Sequence, residues 1–198
     1  MQKEVRNISD EIKLNDDRKV EGYAIVFNSL SEDLGGFREM ITPEAIDGVI
    51  EQSDIYALLN HCAERGILAR SRYGTGTLTL SKDDKGIMYS FDAPHTALGD
   101  EVIEYLKRGD ISKSSFAFTV AQDNWDKQED GTYIRTITKF DRLYDVSPVF
   151  EPAYQDTSVS CARFNEIKEN EKKINDDRIK ELNHLDEYYK ELNKKYLL

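Results

Sequence analysis

At 198 residues, with 39% hydrophobic and 10% aromatic side chains, the chain is long enough for one ordinary domain and apolar enough to fold. Its net charge of −11 repels phosphate backbones, and no basic stripe or aromatic platform offsets this, which disfavours nucleic-acid binding as the main task. Cys62 and Cys161 are too few for a disulfide framework and lack metal-ligand spacing, while no apolar run reaches leader or membrane-span length. The expectation is a protein of a reducing cytoplasm, with no cofactor, no metal and no membrane segment.

Residues 1–17 are mixed polar and read as a ragged arm or an edge strand. Val20 to Phe27 is rich in β-formers and predicts a strand ended by Asn28-Ser29. Leu34 to Phe37 is a turn. Thr42-Pro43-Glu44-Ala45 offers a capping hydroxyl, a first-turn proline and an acid, and predicts a short helix to about Gln52. Ile55 to Asn60 is a compact apolar run that delivers His61 at its end. Short strands are predicted at Ile67–Arg70, Thr77–Leu80 and Gly86–Phe91, with the last two joined by a hairpin over Asp83-Asp84-Lys85-Gly86. Leu98, Val102, Tyr105 and Leu106 recur at helical spacing, and Gly109 stands where a helix end favours a positive φ. Phe116–Val120, Thr132–Lys139 and Leu143–Val149 complete the strands.

Many short strands with two inserted helices and no βαβ alternation predict an α+β, mainly β domain built on a closed or strongly curved sheet. After about Phe164 glycine and proline vanish and charges of both signs dominate. There Leu182, Leu185, Tyr189, Leu192 and Tyr196 alternate at three- and four-residue steps, a narrow apolar seam on a helix. The expected organisation is therefore a domain over residues 1–163 and a charged helical tail over 164–198. That seam suits either packing on the domain or contact with a partner.

Three segments carry candidate chemistry. His61, Ser115 and Asp145 supply a base, a hydroxyl and a carboxylate from separate strand-like contexts, the ingredients of a serine hydrolase. Each has a plainer reading. A histidine at a strand end is often a polar cap. Ser115, Ala117 and Thr119 form a small-residue face that leaves room for a substrate backbone or simply packs against a bulky neighbour. Asp145 interrupts an apolar run, and burying its carboxylate requires a partner, for which a histidine or Arg142 would serve. Cys62 as nucleophile is disfavoured because adjacent strand residues point to opposite sides. His95 and His184 read as surface residues.

Taken in order, these segments resemble the prohead proteases of tailed bacteriophages. The matching runs are Glu21-Gly22-Tyr23-Ala24 with Val26-Phe27-Asn28, Leu34-Gly35-Gly36-Phe37-Arg38-Glu39, and Asn60-His61. They continue through Gly109-Asp110-Ile111 to Ser115-Phe116-Ala117-Phe118, then Asp145-Val146-Ser147-Pro148-Val149 and Pro152-Ala153-Tyr154-Gln155-Asp156-Thr157. The resemblance implies a herpesvirus-assemblin-like β-barrel flanked by helices. It also implies an endopeptidase with Ser115 as nucleophile, His61 as base and Asp145 as the acid before Val-Ser. That family usually has glutamate at this last position, so Asp145 reaches one methylene less far. His95 is the alternative third member, since the related herpesvirus enzymes use a second histidine.

The implied substrates are phage scaffold and major capsid proteins, cut inside the procapsid in the host bacterial cytoplasm, and the related viral enzymes suggest a homodimer. Two other functions are compatible with the sequence. One is a non-catalytic assembly module that binds capsid subunits through the tail; the other is a small-molecule hydrolase using the same three residues.

Overall fold

The computed structural model describes residues 2–15, 18–150 and 158–196; the Pro152-Ala153-Tyr154-Gln155-Asp156-Thr157 run of the resemblance lies outside them. In chain order the elements are β1 (Glu4–Glu11), β2 (Lys13–Asn15), β3 (Lys19–Val26), β4 (Phe37–Ile41), α1 (Val49–Gln52), β5 (Asp54–Ala57) and β6 (Ala69–Arg72). They continue with β7 (Thr75–Gly76), β8 (Thr79–Lys82), β9 (Gly86–Asp92), α2 (Ala97–Arg108), β10 (Lys113–Lys127), β11 (Tyr133–Val149) and α3 (Ser158–Tyr196). The chain divides into two compact units, Met1–Thr157 and Ser158–Leu198.

In the first unit, one sheet runs β1-β10-β11-β5-β6-β7 with β4 also paired to β11, and a second runs β2-β3-β9-β8. Strand β11 is the spine. It pairs antiparallel with β10 along its length, parallel with β4 over Tyr133–Ile137, and parallel with β5 at Asp145 and Val146. The expected closed barrel is not formed: both sheets are open, ending at β1 and β7 in one and at β2 and β8 in the other. The physical reason is that period-two patterning specifies which face of a strand is buried, and says nothing about whether first and last strands meet. Here the far end of the larger sheet dwindles to the two residues of β7.

One hydrophobic cluster draws on both sheets. Val20, Ala24 and Ile25 of β3 and Ile87, Tyr89 and Phe91 of β9 join Phe116 and Phe118 of β10 and Phe140, Leu143 and Val146 of β11. The three phenylalanines stack, with ring centroids 4.5 Å apart for Phe118–Phe140 and 5.0 Å for Phe116–Phe118. Strict alternation fails at Ala24 and Ile25, both buried, because the β3–β9 register slips between Tyr23 and Ile25. Similar slips in the β10–β11 pair, at Ala117/Phe118 and from Thr119 to Asp123, let β11 run through the Phe140–Arg142 region where the sequence suggests a break between two strands.

Local chemistry accounts for the turns. Thr96 accepts a bond from Gly99 N to start α2, and Gly109 ends it at φ 78°. The hairpin before β9 is held by Asp83, whose carboxylate accepts from the amides of Lys85 and Gly86 at 2.9 Å. The helix expected from Thr42 to Gln52 is divided. A 3-10 turn over Pro43–Ile46, begun without a side-chain bond from Thr42, is separated from α1 by Gly48 at φ 73°.

Residues expected as an arm or edge strand form β1 and β2. Strand β1 is held by charge at Glu4 and Arg6 and by apolar contact at Ile8, which packs against the core. Arg6 donates to Glu39 at 2.9 Å and to Glu4 at 2.7 Å, while Arg135 donates to Glu4 at 2.6 Å, to Glu39 at 2.8 Å and to Asp123 at 2.8 Å. These side chains are buried, and each buried charge is met by opposite charge through fork geometry.

The second unit is the single helix α3, which begins six residues before the boundary expected at 163/164. Leu182, Leu185 and Tyr189 of its seam are exposed, as are Ile174, Ile179 and Tyr188. Side chains of the last two seam positions lie outside the described residues. No helix among the described residues is long and apolar enough to cross a membrane.

Candidate active site

The adjacent serines of β10 point to opposite faces of the sheet. Ser114 turns toward the second sheet, where its hydroxyl and that of Tyr89 hydrogen-bond at 2.8 Å. Ser115 therefore points the other way. Opposite Ser115 in register is Ser147 of β11, and opposite Ala117 is Asp145, so Ser115 and Asp145 share one face two positions apart. The sequence expects Ser115, Ala117 and Thr119 to form a small-residue face, and all three are buried.

The imidazole comes from beyond the end of β5. Leu58 and Leu59 are buried, and Asn60 and His61 then adopt φ 55° and 59°. Two successive left-handed residues reverse the chain. Asparagine and histidine are among the non-glycine residues that tolerate this region, at a cost on the order of 1 kcal/mol each. The turn is pinned by Asn60 N donating to the Pro148 carbonyl at 2.9 Å and Cys62 N donating to the Leu59 carbonyl at 3.1 Å. Because Pro148 follows Ser147 on β11, this bond hangs the turn over the strand that carries Asp145.

His61 Nε2 lies 2.7 Å from Ser115 Oγ, and His61 Nδ1 hydrogen-bonds Asp145 Oδ1. An ionised carboxylate only accepts, so Nδ1 carries a proton and Nε2 is left with its lone pair toward the serine hydroxyl. That hydroxyl has a second acceptor, the Arg6 carbonyl at 2.9 Å. Its single proton satisfies one of them at a time. Ser115 is 0% exposed and the Asp145 side chain 2%, whereas the His61 side chain is 16% exposed, so solvent reaches the imidazole and not the hydroxyl.

Asp145 holds three side-chain donors. His61 and Ser147 Oγ, the latter at 2.7 Å, meet Oδ1, and Lys3 Nζ meets Oδ2 at 3.0 Å. Burial pushes this carboxyl up, but the hydrogen bond from His61, the neighbouring positive charges and the Ser147 bond outweigh it and hold the group below its ordinary value. The group therefore stays ionised at neutral pH.

Among the sequence-derived candidates, the structure brings His61, Ser115 and Asp145 into one hydrogen-bonded chain. It does not bring in His95, which is exposed in the loop before α2, and Asp145 already occupies the Nδ1 side of His61 where a second histidine would have to sit. Arg142, the other conceivable partner for Asp145, lies over the Tyr144 ring instead. Cys62 follows His61 in a turn rather than on a strand, and its thiol donates to Glu64.

Three contributors carry no strong sequence signal: Lys3, the Arg6 carbonyl and Ser147. Only Ser147 was readable in principle, since a position two after Asp145 on one strand shares its face.

A family model described as caudovirus prohead serine protease matches residues 4–173. No curated protein matches the sequence. A solved structure similar to the chain is that of the bacteriophage T4 capsid assembly protease, at 10% identity and a TM-score of 0.45, covering 76% of this chain and 98% of that one.

Proposed function

The chain belongs to the caudovirus prohead serine protease family and is a serine peptidase, and from that premise we propose that Ser115 is its nucleophile, His61 its general base and Asp145 the carboxylate that orients the imidazole. The observation that carries this reading is the engagement of both His61 ring nitrogens, one by the hydroxyl and the other by the carboxylate. In the first half-reaction the Ser115 proton leaves the Arg6 carbonyl side and passes to Nε2 as Oγ attacks the scissile carbonyl. His61 then returns that proton to the leaving amine, which frees an acyl-enzyme on Ser115. Water, giving its proton to the same imidazole, attacks the ester, and His61 passes that proton to Ser115 Oγ as the acyl product leaves. Asp145 remains ionised throughout and stabilises the imidazolium formed in each half. The exposed edge of His61 is the side from which a peptide approaches.

The substrates under this reading are scaffold and major capsid proteins of the same virus, cut within the procapsid. Co-expression of the full chain with those two proteins, followed by mass mapping of the fragments, tests it. Wild type is expected to yield discrete products, and Ser115→Ala none, with both proteins equally stable to urea. Processing that survives in Ser115→Ala removes that serine from the mechanism.

A further inference from the structure

The residue just ahead of β1 reaches the same carboxylate from the side away from His61. Lys3 Nζ donates to Asp145 Oδ2 at 3.0 Å and stands 5.3 Å from the centre of the Tyr144 ring. Asp145 has two oxygens with separate holders: Oδ1 faces His61 and Ser147, and Oδ2 faces Lys3. A carboxylate pinned at one oxygen can pivot about its Cβ–Cγ bond, and one pinned at both cannot without breaking a charge-assisted bond. Lys3 itself is held in reach by its neighbours in sequence. Glu4 and Arg6, one and three residues on, are locked into the buried charge cluster with Glu39 and Arg135. The strand that positions Lys3 also carries the carbonyl that accepts from Ser115.

Resting on the assignment of Asp145 as the orienting carboxylate, we infer that Lys3 is a positioning residue of the peptidase, fixing Asp145 in the rotamer that presents Oδ1 to His61. Lys3 touches neither the nucleophile nor the base, and acts through Asp145. Its side chain is 46% exposed, so solvent screening limits the effect to a modest one. The fold does not depend on it, because β1 is anchored by Glu4 and Arg6.

The test uses the full-length enzyme and an alkyl fluorophosphonate, whose phosphorus bonds to the serine oxygen as the P–F bond breaks and the hydroxyl proton passes to the base. Labelling is followed by intact mass, the labelled residue is mapped, and the maximal rate is separated from the half-saturating concentration. Wild type is expected to be labelled at Ser115. Lys3→Met should lower the maximal rate about three- to tenfold, with half-saturation changed less than about twofold. Lys3→Arg, which can still donate to Oδ2, should recover most of the loss. In an Asp145→Ala background, Lys3→Met should change the rate less than about twofold, since the group it acts through is gone. An unchanged maximal rate in Lys3→Met, an undiminished effect in the Asp145→Ala background, or a change confined to half-saturation overturns the role of Lys3 alone. Labelling of wild type elsewhere than Ser115 overturns the underlying assignment instead.

Discussion

Two buried polar clusters lie on the seven-stranded sheet, and β1 contributes to both. In the first, Glu4, Glu39 and Asp123 surround Arg6 and Arg135, with carboxylates meeting guanidinium groups in multiply bonded forks. In the second, a single carboxylate, Asp145, faces a histidine that in turn faces a hydroxyl. The first contains no proton with somewhere to go: burial lowers the Arg135 affinity for its proton, but the bonds and charges of Glu4, Glu39 and Asp123 more than restore it. The second has two protons in play, one shared between Ser115 and two acceptors and one on His61 Nδ1. Saturation with opposite charge makes a clamp, whereas an incomplete chain of donors passing through a partly exposed imidazole makes a reaction path. The same sheet holds both because the pleat and the register decide which residues meet, and residue type decides what they do when they meet.

The largest way to break the second cluster is Asp145→Asn. An amide puts its NH2 either toward His61 or toward Lys3. The ammonium of Lys3 repels it and attracts the amide oxygen, which leaves NH2 facing Nδ1 and forces the imidazole into the tautomer that cannot accept from Ser115. The maximal rate of fluorophosphonate labelling, and of peptide cleavage, should fall by about 10⁴-fold, the loss seen when this tautomer control is removed in other triads. An unaltered rate would show that the carboxylate does not orient the base.

Breaking the first cluster should instead act on stability. Arg135→Met strands Glu4 and Glu39 with less than their full countercharge in a buried site, at about 3–5 kcal/mol. Urea denaturation should show this loss, together with a Tm lower by about 6–20 °C. Activity should decline with the folded fraction and also below it, because β1 delivers Lys3 and the Arg6 carbonyl. Full activity in the folded Arg135→Met protein would mean that β1 keeps its seat without the clamp.

Acid should weaken both clusters from one side. For Glu4, burial pushes the carboxyl up, but bonds and charges from Arg135 and Arg6 hold it below its ordinary value of 4.5, and Asp145 is held below 3.8 for the causes given above. A carboxyl whose folded value is depressed binds protons more readily when unfolded, so its stabilisation is full above the ordinary value and lost as pH falls through the folded one. Urea midpoints should therefore stay level from neutrality to about pH 5 and fall below pH 4.5. The fall should be shallower in Asp145→Asn, which has one of the two carboxyls removed.

The order and kind of most elements were legible because they rest on local chemistry: Gly109 closing α2, Asp83 folding the hairpin, and alternating apolar residues in β3 and β9. Strand β1 was half legible for a definite reason. Two of its inward residues, Glu4 and Arg6, are charged and only the third, Ile8, is apolar, so the alternation that marks a half-buried strand is interrupted, and Glu39 and Arg135, far along the chain, make those charges suitable for burial. Barrel closure failed as an expectation because edge meetings are long-range events. Of the candidate site, His61, Ser115 and Asp145 stood out as misfits in their own segments and as parts of a family resemblance, while Lys3 has nothing in its neighbourhood to mark it. Backbone contributors such as the Arg6 carbonyl leave no trace in residue type at all.

The smallest effect separates two serines that are neighbours in sequence. Ser114→Ala leaves the buried Tyr89 hydroxyl without its partner, and burial already pushes that phenol's proton loss well up, so it stays a neutral donor in need of an acceptor. The cost should be about 1–2 kcal/mol, read as a Tm lower by about 2–8 °C, with fluorophosphonate labelling unchanged. Gly22 has its Cα beside this pair, where an added Cβ would lie 3.1 Å from the Tyr89 hydroxyl, so the gap left by the lost Ser114 oxygen has no side chain ready to fill it. Ser115→Ala should show the reverse, with labelling abolished and Tm within a degree or two of wild type, because His61, which faces the hydroxyl it removes, keeps its bond to Asp145 and its contact with solvent. If both variants lost activity alike, the pleat would not be separating a packing hydroxyl from a reacting one, and the division of the sheet into a structural and a chemical face would fail at its closest test.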